Sequence, residues 1–249
     1  MTGASGTRAT AVVFDLDGTL VDTMRSVPTA YADTIRALGG PAVTPEDVVA
    51  AWHLGATPVV LAHFLGRPAS AEDLQSFYRH LDVAVAAVRP FPGVADMIGD
   101  LSRAGHPLGV FTSATRRAAA LMLAVAGLAG LFTVVVCGDE IGRPKPAPEG
   151  LELACHLLGV TATDAIYVGD ADVDLQCARR AGARGIHAFW GVPAISRALG
   201  PLVARRPQDV IGLAQQPTGR PITAPTPLDR SARPGENRTI SSRLQSSQL

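Results

Sequence analysis

The sequence predicts an α/β fold: a doubly wound parallel sheet with a small all-helical domain inserted after the first strand. Short apolar runs alternate with helix-like stretches, as in βαβ units whose sheet is covered on both faces. This alternation is interrupted between residues 24 and 89, where the apolar residues follow helical periodicity. Acidic and hydroxyl residues follow several of the apolar runs, which indicates a site at one edge of the sheet.

The candidate strands are short apolar runs. They lie at residues 11–14, 108–112, 133–137 and 165–168, with another candidate at 185–189. Helix-like stretches occupy most of the intervals between them, for example 116–126 and 148–158. Strands joined through helical crossovers run parallel, so the runs predict a Rossmann-like core.

One segment tests whether the chain spans a membrane. Residues 118–137 contain no charge, and twenty apolar residues are long enough to cross a bilayer. Gly127 and Gly130 interrupt the segment, its first half is rich in Ala, Leu and Met, and its second half is β-branched. We therefore predict a helix, a turn and a buried strand here, with a membrane span as the minor alternative.

The domain boundaries follow from the same patterns. The core is predicted at residues 10–22 and 90–215, and the helical insert at 23–89, with a hinge at the Pro- and Gly-containing exit RPFPGV. Residues 1–9 are short and polar and are expected to be flexible. Residues 216–249 are rich in Pro, Ser, Thr and Arg, which predicts a disordered tail.

Composition limits the function classes. The 249 residues include 22 basic and 22 acidic side chains, so no excess of charge favours nucleic acid or an anionic membrane as a partner. The three cysteines form no C-x-x-C pair, and the N-terminus has no secretory pattern. These features favour a cytoplasmic protein with buried thiols, and they leave monomer and homodimer equally open.

Four segments place polar residues where ligands bind in a parallel sheet, beyond the carboxyl ends of the strands. The first strand is followed by Asp15-Leu16-Asp17-Gly18-Thr19 and the second by Thr112-Ser113. A later loop contains Arg143-Pro144-Lys145-Pro146, and another strand is followed by Gly169-Asp170-Ala171-Asp172-Val173-Asp174. We expect these segments to meet in one pocket.

The residue types explain what such a pocket can do. Asp15 and Asp17 are two residues apart and face the same side if the strand continues. Asp170 would join them, and clustered carboxylates repel one another unless a cation relieves the charge. Mg²⁺ is the natural choice because it takes oxygen ligands, substrate phosphate and water. Lys145 is the only lysine in the chain, which favours a specific task for its ammonium.

The four motifs, in this order, resemble those of the haloacid dehalogenase superfamily, specifically its phosphoglycolate-phosphatase-like members with a helical C1 cap, and the resemblance runs from about residue 11 to about 212. It implies a Mg²⁺-dependent phosphatase that hydrolyses a small-molecule phosphate ester through an aspartyl-phosphate. The implied nucleophile is Asp15 and the implied general acid and base is Asp17.

The resemblance also implies the remaining roles. Lys145, Thr112, Ser113 and the backbone N–H groups around Leu16 and after Thr112 would bind the phosphate. The metal would be held by the side chains of Asp15 and Asp170 and by the Asp17 carbonyl. Asp174 would help to hold the metal, either directly or by binding one of the metal's water ligands.

Two alternatives stay open. Sugar-phosphate mutases of this superfamily keep the acid at the position of Asp17, but they often carry a histidine soon after the first motif, whereas MRSVPTAYAD has none. Hydrolysis is therefore favoured over mutase chemistry of the β-phosphoglucomutase type. A non-catalytic binding or regulatory protein of the same fold is the other alternative, and the complete set of motif residues argues against it.

One departure concerns the substrate. Phosphoglycolate-phosphatase-like proteins commonly continue the second motif as T-N-K, whereas this chain has Thr112-Ser113-Ala114. Arg116 or Arg117 could supply a cation in its place. A larger substrate, such as a sugar phosphate or a biosynthetic intermediate, is therefore as open as phosphoglycolate, and the insert is expected to choose.

Other polar residues receive ordinary interpretations. We treat Asp22 as structural and do not assign a role to Asp172. Ser113 could instead cap the helix that starts near residue 115. His53 could line the substrate mouth, although a single histidine more often packs or faces solvent.

Overall fold

The computed structural model describes residues 10–191 and 202–216. The predicted flexible segment 1–9 and the predicted tail from residue 217 onwards lie outside the described residues. Within the described part, six parallel strands form one sheet with the order β3-β2-β1-β4-β5-β6. The strands are β1 (Ala11–Phe14), β2 (Leu108–Phe111), β3 (Val134–Val136), β4 (Ala165–Gly169), β5 (Arg184–Ala188) and β6 (Val203–Ala204).

Nine α-helices accompany the sheet in the described residues. They are α1 (Ser26–Ala37), α2 (Pro45–Ala51), α3 (Thr57–Leu65), α4 (Ala71–Val85), α5 (Val94–Arg103), α6 (Arg116–Val125), α7 (Glu149–Leu157), α8 (Asp172–Ala181) and α9 (Asp209–Ala214). Short 3-10 turns occur at Trp52–Leu54 and Ala162–Asp164. The doubly wound α/β fold predicted from the sequence is confirmed.

The middle strands are buried on both faces, which explains why they read as continuous apolar runs. β1, β2 and β4 have every residue buried, and β1 pairs with β2 on one side and with β4 on the other. The chain therefore adds β2 and β3 on one side of β1 and then returns to add β4 on the other side, so the strand order reverses between β1 and β4. In open parallel sheets a crevice for ligands opens at such a reversal.

Helices α1 to α4 form the predicted helical insert between β1 and α5. Capping boxes start two of them: Thr44 caps α2 with Asp47, and Ser70 caps α4 with Asp73. Within the insert, the apolar faces of α1 and α4 pack against each other, and the ring centroids of Tyr31 and Phe77 lie 4.4 Å apart. The fold therefore contains a Rossmann-like core and a helical cap.

The two connections between the core and the cap run side by side. The Asp22 N–H donates to the Arg89 carbonyl (3.2 Å), and the Phe91 N–H donates to the Leu20 carbonyl (3.1 Å). A bridge between Val21 and Pro90 lies between these two bonds. Such a paired connection suits the predicted hinge, and the domain boundaries themselves stay a prediction.

The uncharged segment at residues 118–137 folds as the sequence predicts. It contains most of α6, a turn with Gly127 and Gly130 at positive φ, and the buried strand β3. In the described part of the chain, no single helix has the length and apolarity of a membrane span. Two consecutive helical segments, Pro45–Leu54 and Thr57–Leu65, together have the length and composition of a membrane span, but the chain bends by 119° between them.

Candidate active site

A cavity of about 260 Å³ lies where the carboxyl ends of the central strands face the cap. Its core side contains seven of the eight residues predicted from the motifs: Asp15, Asp17, Thr112, Ser113, Lys145, Asp170 and Asp174. Leu16, the eighth, has a fully buried side chain that is not part of the lining. The structure thus brings the four sequence motifs to one site.

The strand ends explain this convergence. Asp15 follows β1, and its N–H donates to the Val168 carbonyl of β4 (2.8 Å), which keeps the first residue after β1 in register with the sheet. Asp170 follows β4 directly. The two carboxylates therefore leave neighbouring strands at the same edge.

Lys145 is the centre of a buried ion cluster. Its Nζ donates to Asp15 Oδ1 (2.5 Å) and to Asp174 Oδ1 (2.8 Å). The ammonium also lies over two rings, 4.9 Å from the centroid of Phe111 and 5.3 Å from that of Tyr167. Lys145 is 5% exposed, so this lysine is not the solvated side chain that lysine usually is.

Asp174 is held from three directions. Oδ1 accepts hydrogen bonds from Lys145 and from the Tyr167 hydroxyl (3.2 Å), and Oδ2 accepts from the Ala171 N–H (3.1 Å). The last of these bonds also caps α8, where Asp174 is the third helical residue. With both oxygens engaged, Asp174 positions Lys145 as well as adding negative charge to the cavity.

Asp15, Asp170 and Asp174 form a candidate metal centre. Each offers one carboxylate oxygen, and these oxygens lie within 4.8 Å of one another. Burial raises the pKa of Asp15 well above its usual range, and the charges of Asp174 and Asp170 raise it further, against the opposing effect of Lys145. Burial, followed by Asp174, raises the pKa of Asp170 to about 7. Three acids crowded in this way suit a divalent cation.

Gly18 allows the cluster to close. Its φ of +80° is a left-handed conformation that favours glycine, and a Cβ at this position would lie 2.5 Å from Asp170 Oδ2. Thr19, the next residue, donates from Oγ1 to Asp170 Oδ1 (3.1 Å). The Gly-Thr pair of the first motif therefore positions the carboxylate of the fourth.

Asp17 also faces the cavity, and its carboxylate is held by Thr23. Thr23 Oγ1 donates to Asp17 Oδ1 over 2.5 Å, and Thr23 is fully buried. Burial raises the pKa of Asp17, while the hydrogen bond from Thr23 and the charge of Lys145 lower it. This environment favours the protonated acid more than water does, which is the state that a proton donor requires.

The second motif forms a tight turn beside the acids. Thr112 follows β2, is 1% exposed, and accepts a hydrogen bond from the Ala114 N–H at Oγ1 (3.1 Å). Thr115, rather than Ser113, caps α6, because its side chain accepts from the Ala118 N–H (3.4 Å). The capping role considered for Ser113 is therefore wrong, and Ser113 lines the cavity.

Two arginines considered for the phosphate side lie elsewhere. Arg116 forms an exposed ion pair with Glu140 (2.6 Å). The guanidinium of Arg117 lies 4.0 Å from the ring centroid of Tyr78 and donates to Gln75 (3.1 Å). Neither arginine belongs to the described lining of the cavity, so the expectation that one of them replaces the missing cation of the second motif is wrong.

The cap contributes residues that motif reasoning did not identify. His53 lines the cavity, as was considered, together with the aromatic and aliphatic side chains Met24, Val27, Tyr31, Val49, Trp52, Phe77 and Leu81. The helical periodicity marked several of these side chains as apolar. It does not distinguish a face that packs against another helix from a face that lines a cavity.

Sequence reasoning also did not identify three residues that hold the clustered carboxylates in place. Thr19, Thr23 and Tyr167 each bond one of the clustered carboxylates. For Thr19 the signal was its place in the D-x-D-G-T motif. Tyr167 lies in a strand whose other residues are apolar, so the sequence did not indicate that its hydroxyl bonds a carboxylate of the site.

The fold and the acidic cavity together define a capped hydrolase with a Rossmann-like core. The chain belongs to the haloacid dehalogenase-like hydrolase family, whose model matches residues 12–188. Among curated proteins it is 28% identical to a phosphoglycolate phosphatase of Aquifex aeolicus, over 81% of this chain and 95% of the relative. It is 37% identical to a plasmid-encoded phosphoglycolate phosphatase of Cupriavidus necator, over 70% and 78% of the two chains.

Solved structures confirm the fold. The crystal structure of CbbY from Rhodobacter sphaeroides in complex with phosphate superposes with a TM-score of 0.71 at 24% identity, covering 81% of this chain and 96% of CbbY. The family match and the two curated relatives support an enzyme of the phosphatase type.

Proposed function

We propose that this protein is a Mg²⁺-dependent phosphatase that hydrolyses a small-molecule phosphate monoester through an aspartyl-phosphate on Asp15. The observation that carries the proposal is the placement of Asp15: a buried carboxylate after β1, bonded to Lys145 over 2.5 Å, in a cavity shared with three further motifs. A carboxylate so placed can attack phosphorus while neighbouring groups bind the phosphoryl oxygens.

The residues present fit a magnesium ion. If ionised, the Asp15, Asp170 and Asp174 carboxylates carry three negative charges and Lys145 one positive charge, which leaves two negative charges for a divalent cation to balance. The side chains of Asp15 and Asp170 and the Asp17 carbonyl would hold the ion, and Asp174 would act through Lys145 or water. When bound, Mg²⁺ supplies charge neutralisation for the nucleophile and the substrate phosphate.

The chain's own residues account for both chemical steps. In the first, a carboxylate oxygen of Asp15 bonds to phosphorus, the bond from phosphorus to the ester oxygen breaks, and Asp17 gives its proton to the departing alcohol. In the second, water attacks the same phosphorus, Asp17 takes a proton from that water, and phosphate leaves with Asp15 restored. The Thr23 hydrogen bond holds the Asp17 carboxyl in one orientation through both steps.

Three groups would bind the phosphoryl oxygens. Lys145 is fixed by two carboxylates and presents its charge at the nucleophile. The Thr112 hydroxyl accepts from Ala114 and therefore keeps its own hydrogen available for a phosphoryl oxygen. Ser113 lies beside it in the lining. The contribution of the backbone near Leu16 stays a prediction.

The lining of the cavity bears on the choice between hydrolysis and mutase chemistry. A sugar-phosphate mutase needs a way to hold a second phosphate, and Lys145, which already pairs with two carboxylates, is the only lysine or arginine in the lining that the structure describes. Hydrolysis is therefore favoured.

The three cysteines are buried and unpaired, which supports a reducing cytoplasm as the location.

The test is Mg²⁺-dependent release of phosphate from a generic aryl phosphate, with a chelator as the control. We expect activity with Mg²⁺ and its loss on chelation. A second readout does not need turnover: Mg²⁺ should raise the melting temperature of the wild type, because an ion that binds only the folded state stabilises it, and Asp170→Asn should reduce that shift. Absence of both effects would favour the non-catalytic alternative.

A further inference from the structure

The two ends of the cavity differ in chemistry. The core end contains the motif residues, whereas the cap end is lined by apolar and aromatic side chains. Resting on the proposed function, we infer that the preferred substrates are small monophosphates whose leaving alcohol is uncharged and largely apolar. Esters with a carboxylate or a second phosphate, phosphoglycolate included, are predicted to be poor substrates.

The apolar wall is continuous and well packed. Tyr31, Phe77 and Leu81 are at most 5% exposed, and Tyr31 and Phe77 are in ring contact. Trp52 and Val49 are half-buried at the same end. An apolar leaving group that displaces water from such a wall is stabilised roughly in proportion to the apolar area buried.

The polar atoms on this wall are few. The Tyr31 hydroxyl donates to Thr57 Oγ1 (2.8 Å), and both side chains are buried. His53 Nδ1 donates to the Ala50 carbonyl (2.7 Å), so Nε2 is the ring nitrogen that remains for a ligand. These groups suit one hydroxyl or carbonyl oxygen on an otherwise apolar leaving group.

A second anion would find no lysine or arginine at the cap end of the described lining. Lys145 is already bound to two carboxylates, and Arg116 and Arg117 are engaged outside the described lining. Transferring an unpaired anion from water into such a pocket is strongly unfavourable. Acidic residues at the core end would repel it as well.

The volume limits the size of the leaving group. About 260 Å³ lies just below the roughly 300–1,000 Å³ of pockets that enclose drug-sized ligands. The phosphoryl group occupies part of this space. The remainder suits an alcohol with a short branched chain or a single ring.

The experiment compares kcat/KM for four alkyl phosphates, so that the leaving alcohols have similar reactivity: methyl, isobutyl, cyclohexylmethyl and carboxymethyl phosphate, the last being phosphoglycolate. Phosphate release is measured with saturating Mg²⁺. Since one methylene in an apolar pocket is worth about 10–200-fold, the isobutyl or cyclohexylmethyl ester should exceed the methyl ester and phosphoglycolate by at least about tenfold.

Two cap variants test the residues named. Trp52→Ala should lower kcat/KM for the larger apolar esters about tenfold more than it lowers kcat/KM for the methyl ester. Val49→Arg places a guanidinium at the cap end and should raise the ratio of phosphoglycolate to isobutyl phosphate at least about tenfold. Val83→Arg is the matched control, because Val83 is 79% exposed and is not part of the described lining, and it should leave the ratio unchanged.

The outcomes separate the two proposals. If no ester releases phosphate, the proposed function fails. If esters are hydrolysed but phosphoglycolate is preferred over isobutyl phosphate in the wild type, the leaving-group inference alone is overturned. Turnover of methyl phosphate by each variant reports that its core is folded, so an unchanged ratio in Val49→Arg also counts against the inference.

Discussion

The core and the cap contribute to one cavity in different ways. The core side is built from four short segments that follow strands or lie in a loop, and its charged groups are held by hydrogen bonds of 2.5 to 3.1 Å. The cap side is built from helices and presents mainly apolar faces. Under the proposed function, the core would therefore carry the chemistry common to all esters, and the cap would select among them.

This division makes a distinction that kinetics can measure. A core substitution should lower kcat/KM by a similar factor for every ester that depends on the same step. A cap substitution in the lining should change the ratio between esters. On the proposed function, the difference arises because the core would contact the phosphoryl group, which all substrates share, and the cap would contact the leaving group, which varies.

The largest expected effect is at the nucleophile. Asp15→Asn removes the attacking oxygen and should lower kcat by at least about 10⁴-fold for every ester, as loss of a nucleophile does in other enzymes. The fold should persist, because the amide is nearly isosteric and one charge leaves a crowded acidic cluster. Phosphate release and thermal melting without Mg²⁺ check both parts. Wild-type turnover in this variant would remove Asp15 from the mechanism.

Asp17→Asn sharpens the comparison by separating two steps within the core. Loss of a general acid typically costs about 10²–10⁴-fold. Alkyl esters should suffer most in the first step, because an aryl leaving group departs more readily without a proton. Rapid-mixing measurement of nitrophenol release would show a smaller loss in the first turnover than in the steady state. Equal losses for alkyl and aryl esters in that first turnover would contradict the role of Asp17.

The core was largely predictable from the sequence, for a physical reason. β1 has the predicted bounds, and the next four strands lie within one residue of the predicted bounds. Their double burial gives each an apolar run, and parallel pairing places their carboxyl ends at one edge. β6 was not predicted: it has two residues, Val203 and Ala204, whose extended conformation depends on pairing with β5 rather than on any pattern of their own.

The site divides in the same way. Asp15 and Asp170 could be proposed because their type and their positions directly after strands imply a shared edge, and Lys145 because it is the only lysine in the chain and belongs to one of the four motifs. That Asp174 would bond Lys145, or that Arg116 would turn towards Glu140, depends on side-chain geometry that spacing does not encode. The lining of the cap was hidden for the same reason, since an apolar helical face looks alike whether it packs or lines a cavity.

The ion pair of Lys145 allows the two regions to be compared in stability. Lys145→Met leaves Asp15 and Asp174 buried without their cation, and breaking a buried pair in this way costs about 3–5 kcal/mol of unfolding free energy. Arg36 pairs with Asp33 in the cap, and their side chains are 75% and 38% exposed, so Arg36→Met should change the free energy of unfolding far less. Urea unfolding without Mg²⁺ measures both.

The pH dependence of the Lys145→Met variant follows from the same cluster. Burial already raises the pKa of Asp15 above its unfolded value, and losing the ammonium would raise it further. A raised carboxyl pKa favours folding at low pH, and this contribution is lost as the pH rises through the folded pKa. The deficit relative to the wild type should therefore grow with pH. A deficit that shrinks as the pH rises would show that the carboxylates are not the cause.

The smallest expected effect lies where the cap contacts the core. The Tyr78 hydroxyl of α4 lies 3.0 Å from Thr115 Oγ1, the residue that caps α6 just after the second motif. Tyr78→Phe removes one buried hydrogen bond, worth about 0.5–1.5 kcal/mol, and should raise KM up to about tenfold. Because this contact positions the cap without touching the leaving group, every ester should be affected equally, and Thr115→Ser, which keeps a hydroxyl, should stay close to the wild type. A changed preference among esters in Tyr78→Phe would mean that closure and substrate choice are not separable.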